Sequence, residues 1–192
     1  PLGIHTHDDT GVGVANALAA VTAGVSHVQG TINGYGERTG NCNLTSAIPN
    51  LELKMGVNLR AEISKLTTIS HFVDDLGNNA HNERAPYVGR TAFSHKGGMH
   101  VNAVQKLSRS YEHIEPETVG NSQIILISEL SGQSNVLMKA KELGHDLEKG
   151  SETAIKILTQ LKDLEKDGYE FEAAEGSFEL LVRKAIDDYR SL

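Results

Sequence analysis

The sequence is poor in cysteine and in aromatic side chains. Its 192 residues include one cysteine and no tryptophan, and only 5% are aromatic. A single cysteine, Cys42, excludes an intrachain disulfide and a zinc site built from paired thiolates. This composition fits a reducing compartment. Any bound metal must therefore take nitrogen and oxygen ligands.

Long hydrophobic runs and an excess of positive charge are also missing. No apolar segment approaches the roughly 20 residues that span a bilayer, and no basic, apolar leader opens the sequence. The 18 basic and 25 acidic side chains give a net charge of −7, which disfavours nucleic-acid binding because that function needs a basic surface. We therefore expect a cytoplasmic protein with no nucleic-acid or membrane partner. Its 39% hydrophobic content is enough for a core.

The first 57 residues alternate between strand and helix patterns. Residues 2–7 are typical of a strand end, residues 10–23 have helical spacing of apolar side chains, and residues 25–32 are typical of a second strand. Residues 43–55 predict a helix interrupted near Pro49. This order predicts an α/β fold with a parallel sheet, in which functional residues lie on loops that follow the strands.

Helical patterns dominate the rest of the chain, so the fold should be mostly helical. Residues 60–76 predict an amphipathic helix with a polar outer face, and residues 78–90 predict a loop. His95 and His100 fall in a loop that leads into a helix. The other predicted elements are a strand at 124–127 and helices at 136–143, 151–166 and 176–189.

Two histidines, His5 and His7, end the first predicted strand. Residues at i and i+2 on a strand point to the same face, so both imidazoles can bind one ion. Taken alone, such a pair is more often a pair of packing or surface histidines than a metal site. The adjoining Asp8 and Asp9 can cap the next helix, and Asp8 can alternatively orient a ligand histidine.

The loop at residues 33–41, with the sequence NGYGERTGN, is more specific. Its three glycines permit tight turns, and it follows a predicted strand. Asn41 offers an amide oxygen as a ligand. Glu37 and Arg38 are embedded between the glycines, where they either serve the chemistry or form a salt bridge that shapes the loop.

The histidine pair and this loop, in this order, resemble the acyl-CoA-dependent enzymes that condense 2-oxo acids: the 2-isopropylmalate, homocitrate and citramalate synthases. The resemblance covers residues 5–56, including ANAL at 15–18 and GTING at 30–34. It implies the C-terminal end of a (β/α)8 TIM barrel followed by helical subdomains. It also implies a homodimer or another homo-oligomer.

The resemblance implies a divalent cation, Mg2+, Mn2+ or Zn2+, bound by His5, His7 and Asn41. The family's remaining protein ligand is an aspartate on the first barrel strand, which has no counterpart in this sequence. Moreover, the sequence begins with Pro1, directly against a predicted strand end. We therefore expect a C-terminal fragment of a longer catalytic region.

Downstream strings extend the resemblance. HKGGMHVNA at 95–103 is similar to the family's helical subdomain, whose histidine reaches the active site of the partner subunit. YEHI at 111–114 and SELSGQSN at 128–135 look most like the citramalate synthase branch. A histidine suits proton abstraction from acetyl-CoA near neutral pH. One of two histidines would be the base, assisted by an acid or a phenol, and the implied catalytic residues are His95, His100, Glu37 and Tyr111.

The implied parts of the chain are three. Residues 1–57 are the last βα units of the barrel with the metal-ligand loops, and residues 58–125 are a helical subdomain with the catalytic histidines. Residues 126–192 are a second small helical subdomain that leads toward a regulatory domain outside the chain.

The implied reaction joins acetyl-CoA to a 2-oxo acid in branched-chain amino-acid biosynthesis. A divalent ion with open positions can chelate the 2-oxo acid and stabilise the alkoxide that forms. Pyruvate, giving citramalate, is the first expectation, followed by 3-methyl-2-oxobutanoate and 2-oxoglutarate. The sequence does not specify which of these three 2-oxo acids is the substrate, because the residues of the substrate pocket belong to earlier barrel strands.

Three alternatives compete with this interpretation. A related acyl-CoA lyase would carry a reactive cysteine inside the glycine loop, whereas Cys42 lies beyond Asn41. A biotin-dependent carboxyltransferase would need a lysine near the first two strands, where the sequence has none. The third alternative is that the chain, as an isolated fragment, is a structural or dimerisation module without turnover.

Overall fold

The computed structural model describes residues 1–95, 112–125, 132–171 and 174–186. Its contacts divide the chain into two compact units, each described by itself here. Unit 1 comprises Pro1–Phe93 and Glu115–Ser122, and unit 2 comprises Ser94–Ile114 and Gln123–Leu192. The division into three parts at residues 57 and 125 stays a prediction.

A small parallel sheet opens unit 1. Strands β1 (Gly3–His5) and β2 (His27–Gln29) pair in parallel and are connected through helix α1 (Gly13–Thr22). The predicted α/β arrangement is confirmed. Both strands are shorter than predicted, because the backbone beyond each strand pairs with a different segment. His7 pairs with Asn41, and Thr31 pairs with Asn43.

Cys42 lies in the core beneath this sheet. Its side chain is fully buried with Ala17 and Ala47, and Val28 packs against the same cluster. Burial raises the pKa of the Cys42 thiol. The residue therefore behaves as a small core side chain rather than as a reactive thiol.

Helix α2 (Leu44–Pro49) continues directly into a π-helical turn, Asn50–Lys54. The Asn43 side chain caps α2 by accepting a hydrogen bond from the Thr45 backbone, 3.0 Å away. The change of hydrogen-bond pattern falls at Pro49, as predicted, because proline has no N–H to donate.

Helix α3 (Leu66–Leu76), which follows a 3₁₀ turn at Ile63–Lys65, differs from its prediction. Its buried residues are Leu66, Ser70 and Asp74. Its exposed apolar residues are Ile69, Phe72 and Leu76. The prediction of a polar outer face was wrong, because the buried polar side chains find hydrogen-bond partners in the glycine loop, described below.

Unit 2 contains a second parallel pair, β3 (Ser94–His95) and β4 (Ile124–Ile125). The strand predicted at 124–127 is confirmed over its first two residues, and the other two lie outside the described residues. The prediction that His95 lies in a loop was wrong. Its backbone pairs with Ile125, a contact 30 positions away that no local pattern reveals.

In the described part of unit 2, three helices build the core: α4 (Gln133–Glu142), α5 (Glu152–Lys166) and α6 (Glu175–Ala185). Ser151 caps α5 by accepting a bond from the Ala154 backbone. The buried side chains are Val136, Ala140, Ile157, Leu161, Phe171, Phe178, Leu181 and Val182. All three predicted helices are present: α5 begins one residue after its predicted start, and α4 begins three residues before the predicted 136. α6 covers Glu175–Ala185, and residues 187–189 of its prediction lie outside the described residues. Within the described residues no helix is long and apolar enough to cross a bilayer.

Candidate metal site

His5 and His7 lie together at the end of β1. Both side chains are exposed, and their ring centroids are 5.1 Å apart with 68° between the ring planes. Two imidazoles that bind one ion through nitrogens about 2.1 Å from it have centroids about 5 Å apart. The pair therefore has the spacing that a shared ion requires.

The backbone places Asn41 directly opposite His7. Cys42 donates a hydrogen bond to the Thr6 carbonyl and Asp8 donates one to the Gly40 carbonyl, each 3.0 Å long. These bonds flank an antiparallel bridge between His7 and Asn41. Side chains of such a pair lie on the same side and close together. All three predicted ligands therefore share one face.

The Asn41 amide oxygen is available as a ligand for a cation. The amide nitrogen donates to the Tyr35 carbonyl at 3.1 Å, which fixes the orientation of the amide group. In the described part of the structure the buried Oδ1 atom has no hydrogen-bond partner. Leaving a buried acceptor unsatisfied costs about 1–3 kcal/mol. A bound cation would remove that cost, so the residues present fit a divalent ion.

The glycines let the loop close on itself. The Asn41 backbone donates to the Gly34 carbonyl at 2.9 Å. Gly40 has a φ of +97°, and a β-carbon there would collide with that same carbonyl. A β-carbon at Gly36 would collide with the Asn41 amide. The glycine pattern is thus required by the position of Asn41.

Arg38 is bound to Asp9. Its guanidinium donates two hydrogen bonds to the Asp9 carboxylate, at 2.7 and 3.0 Å, and the Arg38 hydrogen bond lowers the pKa of Asp9. The contact between Glu37 and Arg38 is weaker, because the Glu37 Oε2 atom lies 3.7 Å from Arg38 Nη1 and the Glu37 side chain is 87% exposed. The salt bridge that shapes the loop therefore joins it mainly to the segment after β1. The catalytic role of Glu37 stays a prediction.

Asp8 serves the helix rather than the histidines. Its Oδ1 atom accepts a hydrogen bond from the Gly13 backbone at 2.7 Å. This bond satisfies a free N–H at the start of α1. Of the two roles that the sequence left open, the structure favours helix capping.

A second polar cluster lies behind the loop, around Asp74 of α3. Its Oδ1 atom accepts hydrogen bonds from the Tyr35 hydroxyl and the Asn33 amide, both 2.5 Å long. Its Oδ2 atom lies 3.0 Å from His81 Nδ1. These side chains line a cavity of about 370 Å³.

Asp74 is the functional candidate that the sequence prediction missed. The predicted helix placed it on the outer face, whereas it is only 4% exposed. The signal was the spacing of Ser70 and Asp74 four and eight positions after Leu66, which puts all three on one face. Recognising that face as buried required knowing its partners, which lie about 40 positions earlier.

The Asp74 carboxylate is stabilised as an anion. Burial by itself raises its pKa, but hydrogen bonds from Tyr35, His81 and Asn33 outweigh burial and bring the pKa below its ordinary value. The same bond to Asp74 raises the pKa of Tyr35, so the phenol keeps its proton.

This lowered pKa predicts an acid-labile unit 1. A carboxyl whose folded pKa lies below its unfolded value, about 3.9, stabilises the fold above that pH, and the stabilisation is lost as the pH falls through the folded pKa. We expect the free energy of unfolding of Asp74→Asn, from urea titrations between pH 7 and 2.5, to depend less on pH than that of the unmodified chain. Asp75→Asn, at an exposed neighbour, is the control. Parallel curves for Asp74→Asn and the unmodified chain would contradict the prediction.

The predicted catalytic residues are only partly described. For His95 the structure describes the backbone in β3, while His100 and Tyr111 lie outside the described residues. Within the described residues, no group of three or more histidine, cysteine, aspartate or glutamate side chains is arranged to hold a metal. The ligand roles of His5, His7 and Asn41, and the four catalytic assignments, stay predictions.

Comparisons with known proteins place the chain in a family. The HMGL-like family model matches residues 1–73, and the model for the homocitrate synthase post-HMGL domain matches residues 87–168. The (R)-citramalate synthase of Synechocystis sp. is 52% identical over 100% of the chain and 35% of its own length. The chain belongs to the 2-isopropylmalate, homocitrate and citramalate synthase family. The family predicted from the motifs is thus confirmed.

Other members of this family show which branch the chain resembles. (R)-citramalate synthases of Geobacter sulfurreducens and Aquifex aeolicus are 48% and 49% identical over 99% and 98% of the chain, and over 36% and 37% of their own lengths. A probable 2-isopropylmalate synthase and a homocitrate synthase of Methanopyrus kandleri are 34% and 37% identical over 88% and 85% of the chain, which covers 33% and 41% of them. The chain spans about a third of the length of the citramalate synthases it matches.

Proposed function

We propose that the chain is the C-terminal part of the catalytic region of an enzyme that condenses acetyl-CoA with a 2-oxo acid. Pyruvate, giving citramalate, is the proposed substrate, and the proposed setting is branched-chain amino-acid biosynthesis in the cytoplasm. The observation that carries the proposal is the shared face of His5, His7 and Asn41, with the Asn41 Oδ1 atom unpartnered in the described structure. The identity to citramalate synthases supports the choice of substrate.

The residues of the site would bind a divalent cation, Mg2+, Mn2+ or Zn2+, through two kinds of ligand atom, nitrogen and oxygen. The ion would polarise the keto group of the 2-oxo acid and stabilise the charge that develops on its oxygen. His5 and His7 would bind through neutral imidazole nitrogens, and Asn41 through its amide oxygen. Two nitrogen ligands and one neutral oxygen leave room for a further carboxylate, which the family supplies from the first barrel strand.

A histidine base completes the proposed chemistry. It takes a proton from the methyl group of acetyl-CoA, and the methyl carbon then forms a bond to the keto carbon. Hydrolysis of the thioester by water finally releases the thiol of coenzyme A. We propose His95 or His100 as the base, with Glu37 or Tyr111 assisting, because an imidazole accepts a proton near neutral pH.

The proposed context is the end of a (β/α)8 barrel in a homodimer or another homo-oligomer. Parallel strands connected through a helix, as in β1, α1 and β2, are the repeating unit of such a barrel. The exposed apolar residues of α3 support burial against another chain or another part of the protein.

The lyase alternative is disfavoured by Cys42. A lyase of the predicted kind needs an accessible cysteine thiolate beside the metal, whereas Cys42 is fully buried and its thiol pKa is raised by burial.

Turnover by the full-length protein that contains this chain tests the proposal. Incubation with acetyl-CoA, pyruvate and Mn2+ should release free thiol, detected with a thiol reagent, and a chelator should stop the release. 3-Methyl-2-oxobutanoate and 2-oxoglutarate should give lower rates. Thiol release that does not depend on any of the three 2-oxo acids would contradict the proposed reaction. The isolated 192-residue chain should show none, and turnover by it would contradict the fragment interpretation.

A further inference from the structure

We propose that Asp74, on helix α3, is a positioning residue that holds the Asn41 amide in its ligand-binding orientation through Tyr35 and Asn33. The inference rests on the proposed metal site. It adds a residue to that site from outside the strands and the loop that carry the ligands, and 33 positions beyond Asn41 in the sequence.

The Tyr35 carbonyl decides how the Asn41 amide is turned. It accepts hydrogen bonds from the Asn41 amide nitrogen at 3.1 Å and from the Thr31 hydroxyl at 2.5 Å. The amide nitrogen has no lone pair that can bind a cation, so only the oxygen end of Asn41 is useful to a metal. If the Tyr35 carbonyl moves, the amide is free to rotate and its oxygen is no longer held in one orientation.

Asp74 holds both sides of the turn that presents this carbonyl. One oxygen accepts from the Tyr35 hydroxyl and from the Asn33 amide, the residues on either side of Gly34. The Gly34 carbonyl in turn accepts from the Asn41 backbone at 2.9 Å. The turn held by Asp74 therefore contacts Asn41 twice. The Tyr35 carbonyl accepts from the Asn41 side chain, and the Gly34 carbonyl accepts from the Asn41 backbone.

The turn needs such support because part of it has an unfavourable backbone. Asn33 has φ of 60° and ψ of 11°, in the left-handed region that asparagine tolerates better than most residues but at a cost. Ser70 of α3 adds to the support by donating to the Asn33 side-chain oxygen at 2.6 Å. Helix α3 therefore offsets the cost of a conformation that the ligand loop requires.

The charge of Asp74 matters as well as its shape. Its partners Tyr35, Asn33 and His81 are groups that can donate to a carboxylate. Asparagine has nearly the same shape but no charge, and it keeps only one acceptor oxygen. Asp74→Asn therefore weakens the bonds from Tyr35 and Asn33, which share one oxygen, and places an amide nitrogen opposite His81, without leaving a cavity. The neighbouring Asp75, whose side chain is 73% exposed and lies 3.6 Å from His81 Nε2, offers the same substitution without the bonds from Tyr35 and Asn33.

The experiment compares Asp74→Asn and Tyr35→Phe with Asp75→Asn in the 192-residue chain. Nuclear magnetic resonance with 15N labelling follows the Asn41 side-chain amide signals and the hydrogen exchange of the Asn41 backbone N–H. Visible absorption during Co2+ titration follows metal binding. We expect Asp74→Asn and Tyr35→Phe to shift the Asn41 signals, to speed its exchange, and to weaken Co2+ binding by about 10–100-fold, the usual effect of losing support behind a ligand. Asp75→Asn should change none of these.

Tyr35→Phe protects the test against a folding failure. It removes one hydroxyl from a partly exposed ring, so the fold should survive even if Asp74→Asn does not fold. Unchanged Asn41 signals and Co2+ affinity in Tyr35→Phe would overturn the proposal, as would an equal loss in Asp75→Asn. If the unmodified chain binds no Co2+, its three ligands do not hold the ion without the family's further carboxylate, while the Asn41 signals still decide whether Asp74 holds that residue.

Discussion

Gly40→Ala is expected to unfold the ligand loop and abolish metal binding by the chain. Gly40 has a φ of +97°, which is strained for any residue with a β-carbon, and that carbon would collide with the Gly34 carbonyl. The loop must open to relieve the collision, so the hydrogen bonds to Gly34 and from Asp8 are lost with it. We expect a loss of about 3 kcal/mol or more from the free energy of unfolding of unit 1, measured by urea titration.

Gly24→Ala is the matched control for this prediction. Gly24 has a φ of +101°, nearly the same as Gly40, but nothing lies within 4 Å of the β-carbon that alanine would add. This variant should show only the cost of the left-handed conformation, about 1–2 kcal/mol, and should bind Co2+ like the unmodified chain. Equal losses in the two variants would mean that the collision, and hence the closed loop, is unimportant.

Local patterns predicted the elements whose structure depends on neighbours in sequence. The aligned Ile157 and Leu161 place α5 within one residue of its observed bounds. The i, i+2 spacing of His5 and His7 likewise predicted that both rings lie on one face, and they lie 5.1 Å apart. In each case the information lies within one or a few turns of chain, where periodicity is informative.

Contacts between distant segments escaped the prediction. Arg38 was paired with its neighbour Glu37 in one interpretation of the sequence, but its guanidinium is bound to Asp9, 29 positions earlier. The helix predicted at 60–76 gave Asp74 no partner, whereas Asn33 and Tyr35, about 40 positions earlier, donate hydrogen bonds to it. A charged residue has the same local pattern whether water or a protein donor satisfies it. Only the folded partner distinguishes the two cases.

The same contacts explain why the loop is so specific in sequence. It is attached to the β1 segment at the front through Arg38 and Asp9, and to α3 at the back through Tyr35 and Asp74. Its glycines allow it to close between these attachments. The motif at residues 33–41 is thus the contiguous part of a larger arrangement. Its partners Asp9 and Asp74 are distant in sequence and belong to no recognisable motif.

His5→Ala and His7→Ala should each weaken Co2+ binding by at least about 100-fold. Each removes a nitrogen ligand, whereas changes behind a ligand already cost about 10–100-fold. Asn41→Ala should weaken binding less, because a neutral amide oxygen is a poorer ligand for Co2+ than an imidazole nitrogen. Visible absorption titration at pH 7.5 measures all three variants.

His27→Ala is the control for the histidine variants, because His27 is an exposed histidine on the neighbouring strand β2. It should leave the Co2+ affinity unchanged, and thereby separate a specific site from adventitious binding by surface imidazoles. A loss in His27→Ala as large as that in His7→Ala would show that Co2+ binds without a defined site. If both His5→Ala and His7→Ala keep the Co2+ affinity of the unmodified chain, the metal binds elsewhere. The position of the two histidines on one face would then need another explanation.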